Sequence, residues 1–402
     1  MSSDRGSPTP VDRYIELGLR LGRHVDGFVD AYYGPVSLAE RVDHEPLWEP
    51  AALVVEAGQL IVDLDGGAGE PDLGPDRRRW LRGQVVGLHT SARKLAGAQV
   101  SYADEVEQCY GVRPQRRDEE EFEAAHRRLD DVLPGSGPLS DRYTAWREGL
   151  AIPPEKLPSV IDSLAGDFRE RTDRLFGLPE GEHIEWELVT NQPWSGFNYY
   201  QGGLSSRVAI NTDLPVLSPT IAHLVAHEAY PGHHTEHSRK EVGLVRQRGH
   251  LEETIFLVGT PQCLLAEGLA DLGLEILLGV RPEPLVADHL RPLGVPYDAE
   301  VVATVAQAGE ALNNVRGNVA FLLHEDGASS DEALAYAQRW GLVSRDRAEK
   351  MLEFLTDETW RAYISCYLEG LPLCRSFVGG DPERFGQLLN DQLLPADLAS
   401  VA

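Results

Sequence analysis

The chain has 402 residues, 42% hydrophobic and 25% charged, a mix that suits a folded globular protein and excludes wholesale disorder. Its 37 Lys+Arg stand against 64 Asp+Glu, a net charge of −27. That balance argues against nucleic acid and anionic membrane as partners, because both need a positive field on the protein.

The leading residues MSSDRGSPTP show no basic segment followed by an apolar one. No export signal is therefore expected, and the expected compartment is the cytoplasm. The stretch Ile255 to Leu265 is broken by Gly, Thr, Pro and Gln and falls far short of the roughly 20 residues that a membrane span needs. Four scattered cysteines, Cys109, Cys263, Cys366 and Cys374, include no CxxC pair and read as reduced thiols packed in the core.

Residues 11–33 place Tyr14, Leu17, Leu21, Val25, Phe28 and Tyr32 at three- and four-residue intervals, which predicts one amphipathic helix stopped by Gly34-Pro35. The same periodicity predicts helices over 49–64, 76–97, 101–111, 118–132 and 153–176. The run RRDEEEFEAAHRR reads as a solvated helix face. Between 183 and 214 the texture changes: IEWELV and RVAINT alternate, predicting two strands. The segment joining them, NQPWSGFNYYQGG, is either a packed aromatic loop or a lid over a site. After Ser218-Pro219 helical periodicity returns over 219–242, 250–279, 298–324, 330–340, 344–354 and 356–377. The expected fold is mainly α, with a small two- or three-stranded antiparallel sheet. An N-terminal helical region, 1–150, is expected to form part of the same body as a region 151–402 that holds the motifs described next, and 134–152 is the best candidate for a boundary.

The segment His223 to His237 holds five of the chain's 13 histidines, with Glu228 directly after His227. Imidazoles are common zinc ligands, and a His-Glu pair on a helix offers one ligand beside a carboxylate that can reach a metal-bound water. The usual second histidine four residues on is absent, since that position is Pro231. On an undisturbed helix His233 would lie roughly 240° round from His227, and His234 about 10 Å further along the axis. Pro231-Gly232 offers the remedy, because proline ends the hydrogen-bond ladder and glycine permits unusual dihedrals, so that the chain can fold back. His233 is the favoured second ligand and His234 the alternative. Glu267 and Asp271, four apart in AEGLAD, put two carboxylates on one helix face. Glu267 suits the third ligand position, and Asp271 suits an acceptor for the outer N–H of a ligating imidazole. His223 is either such a supporting residue or merely packed, whereas Glu236 and His237 read as surface.

The combination HEAYPGHH, preceded by RVAINT and followed by AEGLAD, resembles the bacterial proteins catalogued as domain-of-unknown-function 885, which are similar to gluzincin zinc metallopeptidases. The resemblance runs from Tyr199 to about Gly370, with Tyr32-Tyr33-Gly34-Pro35 a looser match. It implies a mainly helical peptidase with the edge strand Arg207 to Thr212 lining the cleft, which makes Asn211 a candidate substrate contact. It also implies roles for Arg316 and His324, eight residues apart with Ala320 where an acid is usual, and for a Tyr-x-x-Gly element, Tyr367 and Gly370.

The chemistry expected is hydrolysis of a peptide or related amide with one Zn2+ per chain, held by His227, His233 and Glu267. Glu228 is the expected general base. Tyr367 is the first candidate to stabilise the oxyanion, with His324 and Tyr363 behind it. Arg316 or Arg361 could hold a substrate carboxylate. The acidic surplus, where it rims the cleft, favours neutral or basic peptides over acidic ones. Two other readings share the same residues: a non-catalytic scaffold that binds a peptide or small ligand, and a metallohydrolase of a non-peptide amide.

Overall fold

The computed structural model describes residues 8–69, 72–192, 194–357 and 359–400. Most of the leading segment read above, together with Pro193 of the aromatic loop and Glu358 of the last predicted helix, lies outside them. The protein is mainly helical, with two small sheets.

The first predicted helix is shorter than its apolar stripe. Helix Pro10–Gly22 starts at Thr9, whose side chain accepts from the Asp12 amide in a capping box. The chain then turns through Gly27 (φ 73°) into strand β1, Val29–Tyr32. Within β1 Ala31 is buried, and Phe28 just before it is core as well. The pairing partner, β5 (Ile255–Leu257), lies more than two hundred residues away and runs antiparallel. Local periodicity cannot register such a partner, and long-range pairing overrides it. This ladder ties the 1–150 region to the 151–402 region, and the proposed boundary at 134–152 contains a further helix, Leu139–Glu148.

The second sheet also corrects an expectation. Strands β2 (His183–Val189) and β4 (Ser205–Asn211) are parallel neighbours, not the arms of a hairpin. The intervening aromatic segment supplies β3 (Gly196–Gly202), which pairs antiparallel with β4. The order β2-β4-β3 makes the sheet mixed and puts β4 in its centre. The edge strand beside the site is therefore β3.

Three apolar clusters surround the site. Helices Pro10–Gly22, Pro50–Asp65 and Pro75–Leu95 bury Tyr14, Leu53 and Trp80 with Ile255 and Leu257 of β5. Helix Leu157–Phe176 packs Ile161, Leu164 and Phe168 against Ile210 of β4 and Ile221 and Val225 of helix Ser218–Glu228. Helix Pro261–Leu278 is buried on nearly every face among the C-terminal helices, with Leu264, Leu269, Val319 and Phe385 in one cluster. Such all-round burial explains its apolar sequence. All four cysteines are buried and free.

Candidate metal centre

Helix Ser218–Glu228 carries His227 and Glu228 in its last turn and ends there because the ladder cannot continue: Pro231 has no amide hydrogen. The Tyr230–Pro231 bond is cis. The Gly232 amide donates back to the Ala226 carbonyl at 2.9 Å, folding the chain onto the helix end. A Cβ on Gly232 would sit 1.9 Å from the His227 carbonyl oxygen, so only glycine fits this return. Helix His233–Lys240 begins at once and delivers His233 beside His227.

Three donor residues converge. Nε2 of His233 lies 3.2 Å from Nε2 of His227. Glu267 places Oε2 3.3 Å from His227 Nε2 and Oε1 3.3 Å from His233 Nε2. Donors around a tetrahedral ion with bonds of about 2.0–2.1 Å stand about 3.3 Å apart, so the spacing fits zinc. Oε2 of Glu267 is buried and has no hydrogen-bond partner, the state of an atom built to meet a cation.

The surroundings orient these donors. Asp271 lies 2.9 Å from Nδ1 of His227. As a carboxylate it can only accept, so Nδ1 carries the hydrogen and the Nε2 lone pair faces the cluster. His223, half-exposed, sets its Nε2 3.2 Å from the same Asp271 oxygen. Tyr363 donates its hydroxyl to Oε1 of Glu267 at 2.7 Å. Tyr363 and Tyr367 stand close to the Glu267 helix because two glycines meet there: a Cβ on Gly268 would fall 2.5 Å from the Gly370 backbone. Gly370 of the Tyr-x-x-Gly element is thus a packing contact.

Charge in the cluster is strongly coupled. Burial alone would depress the pKa of His227, but its contacts with Asp271 and Glu267 raise it well above the ordinary value. His233 is raised too, by the charge of Glu267 working against burial. Burial opposes ionisation of Glu267 and Asp271, yet the adjoining histidines hold both well below the usual carboxylate range. Glu228 is shifted the other way, raised by burial and by Glu267.

His234 does not join the cluster. Its Nδ1 lies 2.7 Å from the Ser206 hydroxyl and its Nε2 lies 2.8 Å from Glu182. Both ring nitrogens are thereby committed, which removes it as the alternative ligand. Glu182 also accepts from Tyr230 at 2.7 Å and from Arg169 at 2.6 Å. Burial works against its charge, but the donors from His234 and Tyr230 prevail and hold its carboxyl at about 2.

Around the donors opens a cavity. Glu228 and Tyr367 face it together with the three donor residues, and Trp194, Gly196, Phe197 and Asn198 of the aromatic segment form part of its wall. Asn198 donates to the Glu228 carbonyl at 2.6 Å, tying β3 to the end of the His227 helix.

Other expected site residues are placed elsewhere. Arg361 is committed to Glu105 through Nε at 2.7 Å. Arg316 stacks on the Tyr367 ring at 5.3 Å and donates to the Asn313 carbonyl, outside the cavity wall. His324 bonds the Leu355 carbonyl at 2.7 Å and stacks on Tyr102, so it does not face the reacting space. Asn211 donates to the carbonyls of Gln192 and Trp194, both at 2.9 Å. It braces the aromatic segment and is not in the cavity wall. Glu236 and His237, expected at the surface, are buried: Glu236 pairs with Lys240, and His237 stacks on Tyr200 and lines the cavity.

One wall residue carried no sequence signal. Asp30 reaches the cavity from β1, where pairing slips: Val29 faces Leu257 and Ala31 faces Phe256, leaving Asp30 as the extra residue of a bulge. Burial first, and the nearby Glu267 and Glu228 after it, push its carboxyl up to about 7 despite the opposing pull of His233. A bulge re-aims a side chain and often borders an active site.

No family model matches the chain, and no curated protein does. Among solved structures, the chain is similar to a candidate lipoprotein from Colwellia psychrerythraea, with a TM-score of 0.52 and 14% identity over 93% of this chain and 79% of that one. It is also similar to a candidate lipoprotein of unknown function from Shewanella oneidensis (TM-score 0.44, 13% identity, 96% and 74% covered). A third likeness is to an M32 carboxypeptidase from Deinococcus radiodurans R1 (TM-score 0.35, 12% identity, 94% and 86% covered). At 14% identity the first likeness concerns the fold alone. Among the described residues, no helix is long and apolar enough to cross a membrane.

Proposed function

We propose that the chain is a zinc-dependent hydrolase of short peptides or related small amides, with one zinc per chain held by His227, His233 and Glu267. The observation that carries this reading is the convergence of three side chains: the two Nε2 atoms lie 3.2 Å apart, each has one Glu267 oxygen at 3.3 Å, and the buried Oε2 of Glu267 has no hydrogen-bond partner. A zinc ion in that position supplies a Lewis acid and a water of lowered pKa.

The chain's own residues do the rest. Glu228 follows a ligand directly and faces the cavity, so its carboxylate takes the proton of the attacking water and returns it to the leaving amine. Tyr367 faces the same space, its ring centre 6.4 Å from that of His227, and donates its hydroxyl to the substrate carbonyl oxygen as that oxygen gains charge. Asp271 and Tyr363 keep His227 and Glu267 in orientation.

The test is a short-peptide library digested by protein purified without chelators, with products read by mass spectrometry. Cleavage that stops on chelation and returns with zinc is expected. Protein that holds stoichiometric zinc yet cleaves nothing would overturn the hydrolase reading.

A further inference from the structure

The hydrolase reading leaves Asp30 unused. Its side chain lines the cavity, half-buried, and makes no hydrogen bond or ion pair with any described residue. Glu228 and Glu267 share that wall, and no lysine or arginine does among the described residues. The two arginines expected to meet a substrate carboxylate are stacked on Tyr367 or paired with Glu105. Much of the remaining wall is aromatic: Trp194, Phe197, Phe256, Phe354 and Trp360.

These features favour one sign of charge. Away from the proposed zinc, a substrate carboxylate entering this space would meet carboxylates and no lysine or arginine among the described residues. An ammonium or guanidinium would meet an unpaired carboxylate and ring faces, and ring faces attract cations most strongly where water is scarce. The bulge at Asp30 turns a polar side chain inward on a strand whose neighbours, Phe28 and Ala31, are core. We infer that Asp30 and the aromatic wall form a subsite for a cationic group that the substrate carries next to the scissile amide. The inference rests on the hydrolase reading for the word substrate, and on the cavity alone for the cation. The group has two sources, a free α-amine or a Lys or Arg side chain, which share the chemistry that Asp30 reads.

The test uses the zinc-loaded full chain and matched short peptides. One arm compares arginine with citrulline and lysine with acetyl-lysine behind a blocked N-terminus. The other compares free with acetylated N-termini on a neutral sequence. The ratio of kcat/KM for the charged over the uncharged member is expected to be about tenfold or more in at least one arm. It should collapse toward unity in Asp30→Asn and largely survive in Asp30→Glu, with zinc content unchanged. A ratio near unity in both arms, an undiminished ratio in Asp30→Asn, or loss of zinc from that variant would overturn the subsite; zinc loss would show that Asp30 supports His233 instead.

Calorimetric binding of the same pairs to zinc-loaded Glu228→Gln protein separates the two readings. Selective binding of the cationic members, with no hydrolysis by the parent, supports the subsite and overturns the hydrolase. Hydrolysis without selectivity overturns the subsite alone.

Discussion

Nε2 of His227 and Nε2 of His233 lie 3.2 Å apart, although the helix carrying the first ends before the second begins. The return through Pro231 and Gly232 does what a four-residue helical spacing does elsewhere, and it sets both imidazoles against Glu267. The proposed activity depends on that return, and the following outcomes are expected from it.

Replacing His227 or Glu267 with alanine should abolish zinc retention measured by elemental analysis. Glu228→Gln should keep the zinc and lower kcat by about 10²–10⁴-fold, the range for a lost general base. Zinc loss in Glu228→Gln would place that residue among the ligands and contradict its assignment.

Gly232→Ala forces a Cβ to within 1.9 Å of the His227 carbonyl oxygen and 2.6 Å of the Ala226 carbonyl oxygen. Backbone must move, at a cost of about 2 kcal/mol or more by analogy with overpacked cores. The variant should unfold at lower denaturant concentration and bind zinc more weakly, because His233 shifts with the turn. Unchanged zinc affinity would show that the turn does not position the ligand.

Tyr367→Phe should lower kcat by about 10²-fold with zinc content unchanged, as removal of an oxyanion donor does. Asp271→Asn should instead weaken zinc by about 10–100-fold, because the outer N–H of His227 loses its charged acceptor. Equal effects of the two substitutions on zinc would remove the distinction between a group that meets substrate and one that orients a ligand.

Glu182 gives a pH dependence of stability. Burial works against its charge, but His234 and Tyr230 hold its folded pKa at about 2, against about 4.3 in an unfolded chain. A depressed acid contributes stability that is fully present above the unfolded value and is lost as pH falls toward the folded one. Glu182→Ala should therefore cost about 2–3 kcal/mol above pH 5 through lost charged hydrogen bonds. The gap between the variant and the parent should narrow between about pH 4.3 and pH 2. Urea unfolding at several pH values measures it, and a gap constant across that window would contradict the account.

Much of the site was legible in short-range pattern. The adjacency of His227 and Glu228 and the four-residue spacing of Glu267 and Asp271 are helix-face relations, which depend only on the 3.6-residue period. The sequence favours His233 over His234 through the Pro231-Gly232 return, but what removes His234 is its contact with Glu182 and Ser206, which forms only in the folded chain. Arg316, His324 and Asn211 come from the resemblance and Arg361 from chemical type, and each is committed to a partner that the sequence does not announce. The fold shows the same division. Helices declared themselves by period, while β1 hid inside a helical stripe because its partner β5 is remote. Sheet order depended on β3 occupying what reads as a loop, so the parallel pairing of β2 and β4 was not visible.

The central claim is most directly tested by anomalous X-ray scattering at the zinc edge, on crystals of protein purified without chelators. The account predicts one strong peak per chain, bonded to His227 Nε2, His233 Nε2 and a Glu267 oxygen. A peak only between His223 and Asp271, or no peak at stoichiometric zinc in the crystallisation drop, would contradict it.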